Sequence, residues 1–264
     1  MNITSAGLNA GLTSQIDNSA AQIASGKKIN SAADSPASIQ LISQFNSQII
    51  GNGAAHRNVI DGISALQIAE GGLSNVTDSL QQLRELGLQS ANGTLNDSDR
   101  ASIQTQAKEL LSGISDSLNN SHFNNTSLLN NRDEVNLQTG PESNQQQALP
   151  SFDLNEELSN SGLFDLDFST DNLSDTLDSI DAALDITQNA SSAFGAAQNR
   201  LDSSAASLTN STFNQASSLS QIEDTDYAAA ISEQTKQLLA RDVEITLLAQ
   251  ANAQRGQVLQ LLKI

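Results

Sequence analysis

The chain has 264 residues and a mass of 27.8 kDa, enough for one large domain or two ordinary ones. With no Cys, no Trp, one Tyr and seven Phe, it lacks the aromatic bulk that fills a large globular core or an apolar ligand pocket. Disulfides, zinc-thiolate sites and thiol nucleophiles are excluded outright. Thirty acidic residues against twelve Lys plus Arg give a formal charge of -18, which repels a phosphate backbone and argues against nucleic-acid binding.

From the N-terminus, Met1 to Ala20 carry neither a basic residue nor a continuous apolar run, so no conventional signal peptide is expected. No segment reaches the roughly 18 apolar residues of a spanning helix, so no membrane insertion is expected either. Lys27-Lys28, beside Gly26 and Asn30, are too few charges to hold a membrane or a nucleic acid. The pair reads as a solvated corner between two helices or as an intersubunit ion pair against the acidic surface, and the sequence leaves both open.

Prolines occur only at Pro36, Pro141 and Pro150, leaving two long stretches free of the strongest helix breaker. In the first arm Val59, Ile63, Leu66, Ala69, Leu73, Val76, Leu80 and Leu83 follow at spacings of three or four, the period of a coiled-coil seam. After turn chemistry at Ala91 to Asp97, the residues Ile103, Ala107, Leu110, Ile114 and Leu118 repeat the pattern on a shorter helix, which makes a helical hairpin.

Residues 131–168 change character. Glu134 to Gln138 alternate modestly, Thr139-Gly140-Pro141 read as a turn, and Ala148 to Leu154 return as a strand, so a small β-hairpin is expected. From Asp133 to Asn199 there are thirteen acidic residues and no Lys or Arg, a solvated face kept apart by like charge.

The second arm keeps a strict four-three alternation through Leu173, Leu177, Ile180, Leu184, Thr187, Ser191, Phe194, Gln198, Leu201, Ala205 and Leu208. The polar interruptions suit a bundle of several helices better than a two-stranded coil. From Ala196 to Arg255 neither Gly nor Pro occurs, which favours continuous helix. The fold class expected is mainly α: an elongated, coiled-coil-like helical bundle formed by both chain ends, with a small central β-hairpin region.

Catalytic signatures are lacking. His56 and His122 are the two histidines and neither lies in an H-E-x-x-H pattern, and no G-x-S-x-G elbow occurs. Asp224-Thr225-Asp226 could open a calcium loop, but no Gly or terminal Glu follows at the required spacing, so helix capping before Tyr227 is the better reading. No enzyme, no metal and no cofactor is expected.

Ser25 to Asp34 (SGKKINSAAD), Asp61 to Ser64, Ala69 to Gly71, Leu80 to Glu85 (LQQLRE) and Ala91 to Thr94 closely resemble the amino-terminal region of bacterial flagellin. Gln198 to Asp202, Ser220 to Tyr227 (SQIEDTDY) and Leu248 to Asn252 (LAQAN) resemble the carboxy-terminal region of the same family. The resemblance covers most of residues 25–130 and 194–262 in the family's order. Departures are a shorter chain before Ser25, Pro36 and Ser38 where Ala and Gly are common, and the charges of Arg241, Asp242 and Glu244 in a segment that is usually nearly neutral.

The resemblance implies a self-assembling subunit of the bacterial flagellum, serving motility. Residues 1–33 and 228–264 would pair as terminal helices lining an inner tube, and 34–130 with 169–227 would form the helical rod of an outer tube. Residues 131–168 would stand where many flagellins carry a large projecting domain. An assembly interface is expected at Ile231, Leu238, Ile245, Leu248, Leu259 and Leu262, whose apolar stripe is covered when equivalent helices pack.

By the same resemblance, the subunit is secreted through the flagellar type III export channel with an export chaperone, grows under a cap and meets junction proteins in an extracellular filament. A hook-filament junction protein or a minor flagellin is the alternative within the family, and an adhesin or receptor ligand the alternative outside it. The family's surface for the Toll-like flagellin receptor maps to Gln82, Leu83, Leu86 and Gln106. Neutral amides at Gln82 and Gln106, where Arg and Glu are usual, imply weakened recognition.

Overall fold

The computed structural model describes residues 3–168 and 173–261. Contacts divide the chain into two compact units, Ile50–Thr212 on one hand and Met1–Ile49 with Phe213–Ile264 on the other. The terminal unit reaches further along both long helices than the expected limits at 33 and 228. Packing there continues past the ends of the terminal helices: Ile42 is buried, and Gln215 Nε2 donates to Gln48 Oε1 at 3.0 Å.

The contiguous unit is built on helix α2 (Pro36–Ser90), helix α3 (Asp97–Asn120) and helix α5 (Leu173–Glu223), the outer ends of α2 and α5 belonging to the terminal unit. Seven of the eight residues expected to form the α2 stripe are buried, and Ile63 is partly buried against the same core. On α3 the third position is Leu111, not Leu110, which is only half-buried. Asn96 starts α3 with a capping box: its Oδ1 accepts from Asp99 N–H at 3.0 Å, and its own N–H donates to Asp99 Oδ2 at 3.2 Å. Two donors that helix geometry leaves unpaired are thereby satisfied.

On α5 the buried line runs through Ile180, Thr187, Phe194, Leu201 and Leu208 as expected, but its companions are Thr176, Ala183, Ala190 and Ala197. The expected companions Leu177, Leu184, Ser191 and Gln198 are half-buried flanks. Small side chains let the neighbouring backbone come close, so the seam is centred one residue earlier than bulk alone suggests. The buried Thr187 hydroxyl donates to Ala183 O at 2.8 Å and leaves no polar atom unpaired.

In the centre, strands β1 (His122–Phe123) and β2 (Thr126–Ser127) form a tight hairpin through Asn124 and Asn125, both left-handed at φ 47° and 64°. Asn tolerates that conformation better than most residues. Strands β3 (Val135–Gln138) and β4 (Gln146–Leu149) pair antiparallel with Val135 opposite Leu149. The returning strand therefore starts before Ala148, and Leu154 opens helix α4 (Leu154–Asn160) under an Asp153 cap. A single 3-10 turn, Leu163–Asp165, follows.

Leu149, Leu154, Leu158, Leu163 and Phe168 complete the core of this unit, and Phe152 meets Phe194 edge to face at 5.5 Å. Gln104 on α3 clamps the segment after the 3-10 turn, its Nε2 donating to Leu166 O at 3.0 Å and its Oε1 accepting from Phe168 N–H at 2.7 Å.

Candidate assembly surface

In the terminal unit, helix α1 (Ile3–Ser25) packs along helix α6 (Tyr227–Leu261). Asp226 starts α6 by accepting from Ala228 N–H at 2.9 Å and Ala229 N–H at 3.2 Å, the capping role expected of it. Along α1 the covered positions include Leu12, Ile16, Ser19 and Ile23, spaced four, three and four. Ser19 Oγ donates to Gln237 Oε1 at 3.1 Å and fixes which side of α6 faces α1.

That side is largely polar. The half-covered positions of α6 include Gln234, Gln237, Arg241 and Glu244, whereas Leu239 is 65% exposed and Leu247 60% exposed. Ile231, Val243, Ile245 and Val258 are also about half exposed or more. With Gln234, Gln237, Arg241 and Glu244 half-covered while Leu239, Val243 and Leu247 stand in solvent, α6 leaves part of its hydrophobic term unsatisfied among the described residues.

Of the residues expected at an assembly interface, Ile231 and Ile245 are exposed. Leu238 and Leu248 are half-buried, Leu238 beside the Gln237 that α1 holds. Leu262 lies outside the described residues, and the side chains of Leu259 and of Leu173 on the α5 seam are likewise not among those described. Leu239, Val243, Leu247 and Val258 are exposed apolar residues that heptad counting from Ile231 passes over, because it assumes one straight stripe.

The turn after α1 is tied to the junction of α5 and α6. Lys28 N–H donates to Glu223 O at 2.6 Å and Thr225 N–H to Gly26 O at 3.0 Å, and Lys27 Nζ pairs with Glu223. Gly26 is left-handed at φ 71°, with the Tyr227 hydroxyl 3.1 Å from where a Cβ would stand. Both the backbone conformation and the space require glycine. Beyond it, Asp34 folds the Asn30–Ser31 backbone onto its carboxylate.

On the contiguous unit, Gln82, Leu86 and Gln106 line one groove with Glu85, Gln89, Glu109 and Leu110. Leu83 does not join them. It is fully buried in the core, as its place in the α2 stripe dictates, which corrects its expected place on a surface. Arg84 Nε donates to Asp181 Oδ1 at 2.7 Å, and its charged form is favoured by that bond.

Among the described residues, no group of three or more His, Asp and Glu side chains converges as a metal site would require, and no described helix is long and apolar enough to cross a membrane. What the fold presents is a helical structural subunit whose last helix, α6, carries uncovered apolar surface.

A model of the bacterial flagellin N-terminal helical region matches residues 2–134, and one of the bacterial flagellin C-terminal helical region matches residues 177–262. A flagellin of Halalkalibacterium halodurans is 34% identical over 245 residues, covering 92% of this chain and 90% of the relative. In fold, the chain is similar to a crystal structure of Bacillus cereus flagellin, with a TM-score of 0.53 over 58% of this chain and 88% of that one at 22% identity. It is also similar to a putative flagellar hook-associated protein from Vibrio parahaemolyticus, with a TM-score of 0.62 over 72% of this chain and 100% of that one at 19% identity. The chain belongs to the bacterial flagellin family, and it is a structural subunit of the flagellar filament.

Proposed function

We propose that the terminal unit is the polymerising part of the subunit, with α1 and α6 docking on the equivalent helices of neighbouring copies to line an inner tube. The helices of Ile50–Thr212 form the surrounding outer tube in this reading, and the central hairpins stand where other flagellins project a larger domain. The observation that carries it is the outward placement of Ile231, Leu239, Ile245 and Leu247 on α6. Full burial of such a side chain contributes about 1.5–3 kcal/mol, so a few of them per neighbour offset the cost of docking.

Electron microscopy of the purified protein after seeding tests this. Hollow filaments are expected, with residues before Ser25 and after Tyr227 gaining protease protection on polymerisation. Persistent monomers under every seeding condition, with intact ends, contradict it. The same reading has the subunit leave the cell through the flagellar type III channel with an export chaperone and add to the filament under a cap, above junction proteins. A chain without cysteine suits that passage, since nothing needs to be kept reduced.

A second surface follows from the groove on the contiguous unit. Gln82, Leu86 and Gln106 are within one lining and would meet the Toll-like flagellin receptor of a host through two neutral amides in place of charged groups. Charge-assisted hydrogen bonds are worth about 1.5–3 kcal/mol each, so recognition is weakened. A cell reporter comparing the protein with its Gln82→Arg plus Gln106→Glu variant reads this directly, and equal potency overturns it.

A further inference from the structure

The chain contains two Asn-Gly pairs in opposite settings. Asn52-Gly53 lies inside α2, with Asn52 only 2% exposed and its Nδ2 donating to Ser211 Oγ at 3.3 Å. The Gly53 nitrogen belongs to the helical hydrogen-bond ladder there. Asn92-Gly93 occupies the exposed turn between α2 and α3.

In that turn, Asn92 Oδ1 accepts two hydrogen bonds from one residue, from Thr94 N–H at 3.2 Å and from the Thr94 hydroxyl at 3.0 Å. A backbone N–H can only donate, so the oxygen of the amide faces Thr94 and the Nδ2 amine is turned away. A Cβ at Gly93 would meet nothing within 4 Å, and the Gly93 N–H makes no hydrogen bond within the chain. A free backbone nitrogen thus follows a carboxamide whose carbonyl is doubly polarised.

We propose that Asn92-Gly93 is a self-modification site at which the chain converts its own asparagine to an acid. Solvent base removes the Gly93 N–H proton and the nitrogen attacks Asn92 Cγ, forming a C–N bond and a tetrahedral oxyanion on Oδ1. The Cγ–Nδ2 bond then breaks, and the nitrogen takes up a solvent proton and leaves as ammonia, closing a five-membered imide. Water adds to either imide carbonyl and breaks one ring C–N bond. The product is aspartate, or isoaspartate with the backbone rerouted through Cγ.

The balance is one asparagine and one water in, one acid and one ammonia out, with no change of oxidation state. The two Thr94 donors meet the oxygen on which negative charge gathers, so they favour the intermediate over the resting amide in the manner of an oxyanion hole. Glycine places no Cβ in the path of attack. Each conversion adds one negative charge just ahead of the Asn96 capping box of α3.

The test uses the full-length protein, held at mildly alkaline pH and sampled over time. Peptide mass mapping reads amide-to-acid conversion, and isoaspartyl methyltransferase labelling reads the rerouted backbone. Conversion at Asn92 is expected to be at least about tenfold faster than at Asn52 in the same sample, because local opening of α2 must come first at Asn52. Equal rates at the two pairs overturn the site. Thr94→Val, which keeps the backbone donor and removes the hydroxyl, is expected to slow Asn92 by about threefold or more, with Asn52 unchanged. An unchanged or raised rate in that variant overturns the role given to Thr94.

Discussion

Lys27 Nζ lies 2.5 Å from Glu223 Oε1, and the carboxylate is only 10% exposed whereas the ammonium is half in solvent. Of the basic pair that sequence alone left between a solvated corner and an intersubunit contact, the Lys27 side chain is thus engaged within its own chain. Because Glu223 is largely out of water, Glu223→Gln or Lys27→Met is expected to cost about 1–2 kcal/mol, between the values for surface and for buried pairs. Amide exchange at Lys28 and Thr225, whose N–H groups close the same junction, reads the loss locally. Unchanged protection in both variants contradicts it.

Asp34 sets an acid limit on the turn after α1. Its Oδ2 accepts from Ser31 N–H at 2.8 Å, Asn30 N–H at 3.0 Å and the Ser31 hydroxyl at 3.1 Å. These donors, Ser31 N–H foremost, hold its pKa below the ordinary value. A carboxylate depressed in the folded state contributes its stability in full above the unfolded value, near 3.9, and loses it as the pH falls through the lower folded value. The Asn30 and Ser31 amide resonances are therefore expected to stay constant from neutral pH down to about 4 and to move below it, with no such transition in Asp34→Asn. A midpoint at or above the ordinary aspartate value refutes this.

Adjacent glycines on α2 are expected to respond with opposite signs. A Cβ on Gly72 would collide with Ser121 Oγ and would stand 2.9 Å from Leu129 Cδ1, whereas Gly71 meets nothing within 4 Å. Gly72→Ala is expected to destabilise by about 1–3 kcal/mol through overpacking. Gly71→Ala is expected to stabilise by about 0.5–1 kcal/mol, since only helix propensity changes. Urea denaturation of the two variants separates them, and a shift of the same sign in both counts against the close approach.

Assembly and folding are expected to separate by mutation. Leu239→Ser plus Leu247→Ser removes apolar surface that the single copy leaves in water, so subunit stability stays within about 0.5 kcal/mol for each change while seeded growth is lost. Leu80→Ala, fully buried on α2, is expected to cost about 2–5 kcal/mol of folding stability. Sedimentation after seeding and thermal unfolding of the same preparations check both, and normal filament growth by the double variant would remove α6 from the interface.

Helix positions and the α2 stripe were legible because large aliphatic residues at a four-three spacing leave one consistent solution. The α5 seam was half legible. Ile180, Phe194 and Leu201 declare themselves, but Ala183, Ala190 and Ala197 carry too little apolar bulk to outweigh Leu184 in a pattern, and only packing reveals that small residues belong at the centre. The Asn124-Asn125 hairpin had a readable signal, two residues that tolerate the left-handed region between short runs. Leu83 was legible twice over, as a stripe residue and as a surface residue, and burial admits only the first. Which side of α6 faces outward was not legible, since it depends on the contact of Ser19 with Gln237, 218 residues apart.

The hydrogen bond from Asn52 to Ser211 spans 159 positions of sequence and joins the two ends of the contiguous unit. Bringing such ends together costs a flexible chain roughly 4–5 kcal/mol of loop entropy, and the formation of Ile50–Thr212 meets that cost once. The terminal unit, divided between the first and last stretches of the chain, then finds its halves already neighbours and needs only a local search. Its order of folding follows: the middle first, and the two ends as a late, fast docking step that waits for the last residues to be delivered.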